Sequence, residues 1–242
     1  AVGFDGNYDD VNWIFTDISA LPLYLKPGAR VLDIGSGGGQ HALTAIGLGS
    51  KDVTCVEINP TIVEWTKGRF GERTGHIYSR PEVRVFVGDG RTVTARSKDS
   101  YDVISFVSST TFTATTSGAF MMAENNLFTT EAFDEYFDHL TPDGMIGVSQ
   151  VMTVDYPGLL LRVTALGRTM LERHGIRDVA KNIMVVTKKT GGYGISVIKR
   201  SPLTNAELDR ADSLAAVMGW EILHSPRVNA HPAFHEIITT PD

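Results

Sequence analysis

Gly35-Ser36-Gly37-Gly38-Gly39 places four glycines within five positions, between the apolar run Val31-Leu32-Asp33-Ile34 and a helical pattern from His41 to Leu48. Glycine lets a chain turn sharply and lets a ligand approach backbone N–H groups at a helix N-terminus. The chemistry such a loop serves is the cradling of a nucleotide or nucleoside, and a bare strand–helix turn is the weaker explanation. Glu57 closes the next apolar run, where an acid can accept hydrogen bonds from both hydroxyls of a ribose. Asp89, in Gly88-Asp89-Gly90, follows the third run and can accept from an adenine amino group; a turn carboxylate is the plain alternative. Two ligands stay open on these residues. A dinucleotide would read Gly37-x-Gly39-x-x-Ala42 as its fingerprint, with Gln40 standing where the unshifted motif wants glycine. A nucleoside needs only the loop and the two acids.

The elements that must position these residues are legible as alternation. Arg30–Ile34, Asp52–Ile58, Val83–Val87, Asp102–Val107 and Met145–Val151 read as strands, short, apolar and bounded by Gly, Pro or Asp. Asn59-Pro60 opens a helix towards Phe70, and Phe133, Tyr136, Phe137 and Leu140 make one helical face. Tyr156–His174 ends at Gly175. Thr204-Asn205-Ala206-Glu207 is a capping box for a helix that stops at Gly219. Asn182–Thr187 and Gly194–Lys199 flank Gly191-Gly192 as a hairpin. Strand and helix in alternation predict one α/β unit, a mostly parallel sheet with helices on both faces and a C-terminal antiparallel hairpin.

The chain has 242 residues, 42% hydrophobic and 21% charged, an ordinary globular profile. Its single cysteine, Cys55, excludes a disulfide framework. A net charge of −6 argues against nucleic acid as a partner and mildly favours a neutral or cationic one. No apolar stretch is long enough for a membrane helix and no signal peptide is visible, so a cytoplasmic protein is expected. His224, His231 and His235 suggest surface histidines of a C-terminal tail rather than a metal site, and no metal is expected. Trp13, Trp65 and Trp220 read as core or rim residues. Tyr8, Asp9 and Asp10 are candidates to fold over the ligand site, with a frayed terminus as the alternative.

Asp33-x-Gly35-x-Gly37-x-Gly39, Glu57 and Asp89 resemble the class I S-adenosylmethionine (SAM) transferase pattern. The chain is more specifically similar to the spermidine-synthase-like group, through Val56-Glu57-Ile58-Asn59-Pro60, Tyr78-Ser79-Arg80-Pro81, Gly88-Asp89-Gly90-Arg91, Tyr101-Asp102-Val103-Ile104, Glu124–Phe133, Leu140-Thr141-Pro142-Asp143-Gly144 and Ser201-Pro202-Leu203-Thr204. The resemblance implies a Rossmann-like class I SAM-methyltransferase fold and SAM or decarboxylated SAM as donor. It implies Asp33, Gly35, Gly37, Gly39, Gln40, Glu57, Ile58, Asp89 and Gly90 as the donor site, and a small-molecule acceptor such as an amine. It divides the chain into an N-terminal segment over the site (1–27), a transferase domain (28–225) and a tail (226–242). In many bacterial relatives the domain is fused to membrane helices, which leaves a flanking membrane segment open, as it does a homodimer.

Two positions depart from that pattern. The family segment after the fourth strand resembles Asp-Ser-Ser-Asp-Pro; this chain has Val107-Ser108-Ser109-Thr110-Thr111. Gly38 stands where the family's loop commonly carries an acid. An aminopropyl transferase needs an acid to bind and deprotonate the attacking amine, so both departures move the expectation from aminopropyl towards methyl transfer or other SAM chemistry, with a non-catalytic nucleoside-binding module as the alternative. Thr110 can still hydrogen-bond an acceptor, and Glu124 is the nearest acid able to act as base, a solvated loop acid or a helix-capping partner being its alternative. Val107–Phe128, long and rich in Ser and Thr, is expected to be a lid.

Overall fold

A computed structural model describes residues 3–107, 126–152 and 157–240. Five strands, β1 (Val31–Ile34), β2 (Val53–Glu57), β3 (Val83–Val87), β4 (Tyr101–Val107) and β5 (Leu140–Met152), pair in parallel in the order β3-β2-β1-β4-β5. Beyond β5 the sheet turns antiparallel through β7 (Gly192–Lys199), β6 (Ile183–Lys188), β8 (Trp220–Ser225) and β9 (Val228–Asn229). The expected hairpin is β6–β7, with Gly191 and Gly192 at φ 73° and 93°, and β8 and β9 extend the sheet past it.

β5 starts earlier than expected, at Leu140. Its first residues include Pro142, which has no N–H to give, and the pairing shifts register there between Tyr101 and Val103. The irregular start therefore coincides with the residue least able to hold a regular ladder.

Helices pack on both faces, since alternate strand residues point to opposite sides. Val31, Val53, Cys55 and Val103 face one core, covered by α1 (Leu21–Leu25), α2 (Gln40–Gly47), α3 (Pro60–Lys67) and α7 (Asn205–Met218). Leu32, Ile34, Val56, Ile104 and Phe106 face the other, covered by α4 (Gly90–Arg96), α5 (Thr130–Asp138), α6 (Gly158–Arg173) and α8 (Pro232–Thr239). Phe4, Val11, Ile14 and Ile18, around the 3-10 turns Tyr8–Thr16 and Ile18–Ala20, bury themselves in the first core. The caps read from sequence are formed: Asn59 accepts from Thr61 N–H, and Thr204 and Glu207 close a capping box.

His224 is a correction. It lies buried in β8, not on a surface tail, and burial lowers its pKa. Among the described residues no group of three or more His, Cys, Asp and Glu side chains is placed to hold a metal ion. Nor, among them, is any helix long and apolar enough to cross a membrane.

Candidate functional site

The site opens where β1 and β4, neighbours in the sheet, send their chains in different directions, the position at which open α/β sheets leave a crevice. The turn after β1 carries Gly35, Gly37 and Gly39 at φ 78°, 52° and 79°, values that any side chain would make costly. Gly39 has a second reason: a Cβ there would stand 2.7 Å from Ile77 Cγ2. The turn is tied to β2 by the N–H groups of Gly35 and Ser36, both donating to the Val56 carbonyl at 2.8 and 3.1 Å.

Glu57 shapes the loop directly. Its Oε2 accepts from Gly37 N–H at 2.8 Å and its Oε1 from Asn59 N–H at 2.8 Å, in a nearly buried position. On the other side Tyr78 donates its hydroxyl to the Gly37 carbonyl at 2.6 Å, and Ser36 Oγ lies 2.8 Å from that hydroxyl. Burial, with the nearby Cys55, Asp33 and Glu57, pushes the Tyr78 phenol up, so it stays a donor. Tyr78 is a site residue that composition and periodicity do not reveal; its only signal is its place in the Tyr78-Ser79-Arg80-Pro81 segment.

A cleft of about 390 Å³ lies against the loop. Asp33, Gly35, Gly37, Gly38 and Gln40 line one side; Trp13, Asp17, Val107, Ser149 and Tyr193 line the others. Asp33 is wholly buried, neither of its oxygens accepts a hydrogen bond from the described residues, and His41 Nδ1 stands 3.4 Å from its Oδ1. The N-terminal segment reaches this cleft through Trp13 and Asp17. Tyr8 instead packs between the Phe4 and Phe15 rings and donates to the Leu43 carbonyl at 3.4 Å, and Asp9 and Asp10 are exposed.

The remaining expected residues are spread along the strand ends. Ile58 is half exposed beside Glu57, an apolar surface at the C-terminal end of β2. Asp89 caps α4, accepting from the N–H and hydroxyl of Thr92 at 2.9 and 3.0 Å. It lines a separate depression with Arg91, Thr92, Asn126 and Glu135 and is not in the glycine-loop cleft. Gly90 is buried at the start of α4, where a Cβ would run into Ile34. Thr110 and Glu124, with most of the expected lid, lie outside the described residues.

Comparison with known proteins sets this geometry in a family. The model of the spermine/spermidine synthase domain matches residues 15–157, more than half of the chain, including the glycine turn, Glu57, Asp89 and β4. The chain belongs to the spermine/spermidine synthase domain family. A curated polyamine aminopropyltransferase of Korarchaeum cryptofilum (strain OPF8) is 27% identical over 97 residues, 40% of this chain and 30% of that protein. The spermidine synthase of Thermotoga maritima superposes with a TM-score of 0.58 at 15% identity, over 81% of this chain and 62% of that one. Human methyltransferase-like protein 13, solved in complex with SAH, superposes with a TM-score of 0.54 at 19% identity, over 86% of this chain and 90% of that one. At these identities the structural likenesses show the fold, a Rossmann-like α/β fold that spermidine synthases and class I methyltransferases share. The matches span about a third of the curated relative and about three fifths of the Thermotoga maritima chain.

Proposed function

We propose that this member of the spermine/spermidine synthase domain family is a SAM-type alkyl transferase acting on a small nucleophilic acceptor. The observation that carries this reading is the pairing of Glu57 with the glycine turn. Both carboxylate oxygens accept backbone N–H groups, one of them from Gly37, while each keeps a lone pair for a ribose hydroxyl. In this reading the adenine lies along Ile58 towards Asp89, and the sulfonium and its tail lie over Gly35–Gly39 beside Asp33. Gln40, first residue of α2 and a lining residue of the cleft, adds a polar group there. The acceptor enters from the side of Trp13, Asp17 and Tyr193.

The chemistry asked of the protein is small in kind. A sulfonium is already a good electrophile, so alignment of the nucleophile in line with the carbon–sulfur bond and removal of its proton supply most of the acceleration. Thr110 would hold the acceptor and Glu124 would take its proton. The N-terminal segment 1–27, covering a transferase domain of residues 28–225, fits the same reading, since Trp13 and Asp17 line the cleft.

Methyl transfer is the second form of the reaction, favoured by Gly38 and Thr110 where acids would grip an amine. Incubation with SAM, and separately with decarboxylated SAM and a mixed amine pool, distinguishes the two by the nucleoside product. S-adenosylhomocysteine is expected from methyl transfer, methylthioadenosine with a new polyamine from aminopropyl transfer. Turnover of neither donor rejects the transferase reading.

A further inference from the structure

The glycine loop closes through a tight turn. Gly39 N–H donates to the Ser36 carbonyl at 2.9 Å, which makes Gly37 and Gly38 the two middle residues of a β-turn. Gly37 has φ 52°, and Gly38 is not among the glycines of positive φ. Positive φ at the first middle position alone is the pattern of a type II′ turn. Turning over the peptide between the middle residues gives the type I′ form, which needs positive φ at both. Glycine at both positions leaves both forms open to this backbone. They differ in whether the Gly37 carbonyl or the Gly38 N–H faces a given side of the loop.

Tyr78 selects between them. Its hydroxyl donates to the Gly37 carbonyl at 2.6 Å, while Glu57 Oε2 accepts from the Gly37 N–H at 2.8 Å, so the peptides on both sides of Gly37 are held. Tyr78 stands on the 3-10 turn Ile77–Ser79, packed so closely against the loop that a Cβ on Gly39 would lie 3.3 Å from its ring. A trans peptide points its N–H opposite to its carbonyl, so the Gly38 N–H faces away from Tyr78. Gly37 and Gly38 line the cleft, and the buried Tyr78 is not one of its lining residues. Among the described residues no group accepts from the Gly38 N–H. A donor without a partner therefore stands on the cleft side of the loop.

We propose that Tyr78 is a positioning residue for the donor tail: its hydroxyl holds the Gly37–Gly38 peptide so that the Gly38 N–H meets the tail carboxylate. The inference rests on the reading of the cleft as a SAM-type donor site. That carboxylate is present in SAM and S-adenosylhomocysteine and absent from methylthioadenosine. Tyr78 touches no atom of the donor and acts through the backbone it orients. Without the hydroxyl, the turned-over form brings the Gly37 carbonyl to the cleft side, where a carboxylate meets a lone pair instead of a hydrogen.

Titration calorimetry of the full chain with S-adenosylhomocysteine and with methylthioadenosine tests the proposal. Tyr78→Phe keeps the ring and removes the hydroxyl. It is expected to weaken S-adenosylhomocysteine about tenfold, the size of one hydrogen bond to a charged group, and to leave methylthioadenosine binding unchanged. Loss of packing alone would weaken both ligands alike. Adding Gly38→Ala to Tyr78→Phe is expected to restore most of the lost affinity, because alanine disfavours the positive φ of the turned-over form. In the wild type the Gly38 amide, followed by NMR, is expected to gain protection from exchange with S-adenosylhomocysteine and not with methylthioadenosine. That measurement carries the test alone should Tyr78→Phe fail to fold. An unchanged affinity for S-adenosylhomocysteine, an equal loss for both ligands, no recovery in the double variant or an unprotected Gly38 amide would overturn the proposal and leave the donor site standing. Wild-type protein that binds neither ligand overturns the site itself and the proposal with it.

Discussion

Glu57 uses both oxygens on backbone N–H groups of the turns that follow β1 and β2, and in the proposed function each oxygen also takes a ribose hydroxyl. Each hydrogen bond to a charged acceptor contributes about 1.5–3 kcal/mol. Glu57→Ala is therefore expected to lower donor affinity by at least about tenfold, since 1.4 kcal/mol is a factor of ten. Calorimetric titration of either donor checks this, and an unchanged affinity in a folded variant contradicts the assignment. Glu57 was legible from its place at the end of the second apolar run. His41 was not, because the pattern of α2 marks it only as the second residue of a helix. Its neighbours Asp33 and Ser19 are brought beside it by separate elements. Tyr193 was invisible for the same reason, and Trp13 was legible only as a core or rim residue: an aromatic residue becomes part of a cleft only when distant segments meet.

At the scale of elements, the sequence signals that survive are those with local causes. The capping box of α7 is closed by Thr204 and Glu207 within four residues, and Gly219 takes up the left-handed turn at φ 67° that ends the helix. Thr204→Ala is expected to cost about 1 kcal/mol and to lower the melting temperature by about 2–4 °C for a chain of this size, with donor affinity unchanged. Differential scanning calorimetry and a donor titration read both halves. Glu207 also accepts from Lys199 at 2.9 Å, so the cap is joined to a fully buried lysine of β7 that pairs with Asp143 at 2.7 Å. That pairing across β5, β7 and α7 left no mark on any one segment. Strands β8 and β9 were missed likewise, their pairing with β6 and with each other being non-local. The irregular start of β5 reflects a competition between Pro142 and the ladder that only the partner strand resolves.

Over the whole molecule, the net charge of −6 mildly favours a neutral or cationic partner, and the placement of the charges reduces the weight of that observation. Asp17, which lines the cleft, has Lys188 Nζ 3.6 Å away, and Asp52, Asp99 and Asp143 are paired with Arg30, Arg84, Lys26 and Lys199 away from it. Total charge therefore does not describe what the cleft presents. The segment before β1 is part of the first core through Phe4, Val11, Ile14 and Ile18, so its cleft-lining residues stand on packed support. The two cores hold β1 and β4 side by side, and that fixed pair of strand ends is what turns a glycine-rich loop into a site. The most direct test is a crystal structure of this chain with S-adenosylhomocysteine. Both ribose hydroxyls are expected on the Glu57 carboxylate, with adenine along Ile58 towards Asp89 and the amino group at Asp33. A nucleoside bound elsewhere, or one whose ribose does not touch Glu57, would contradict this.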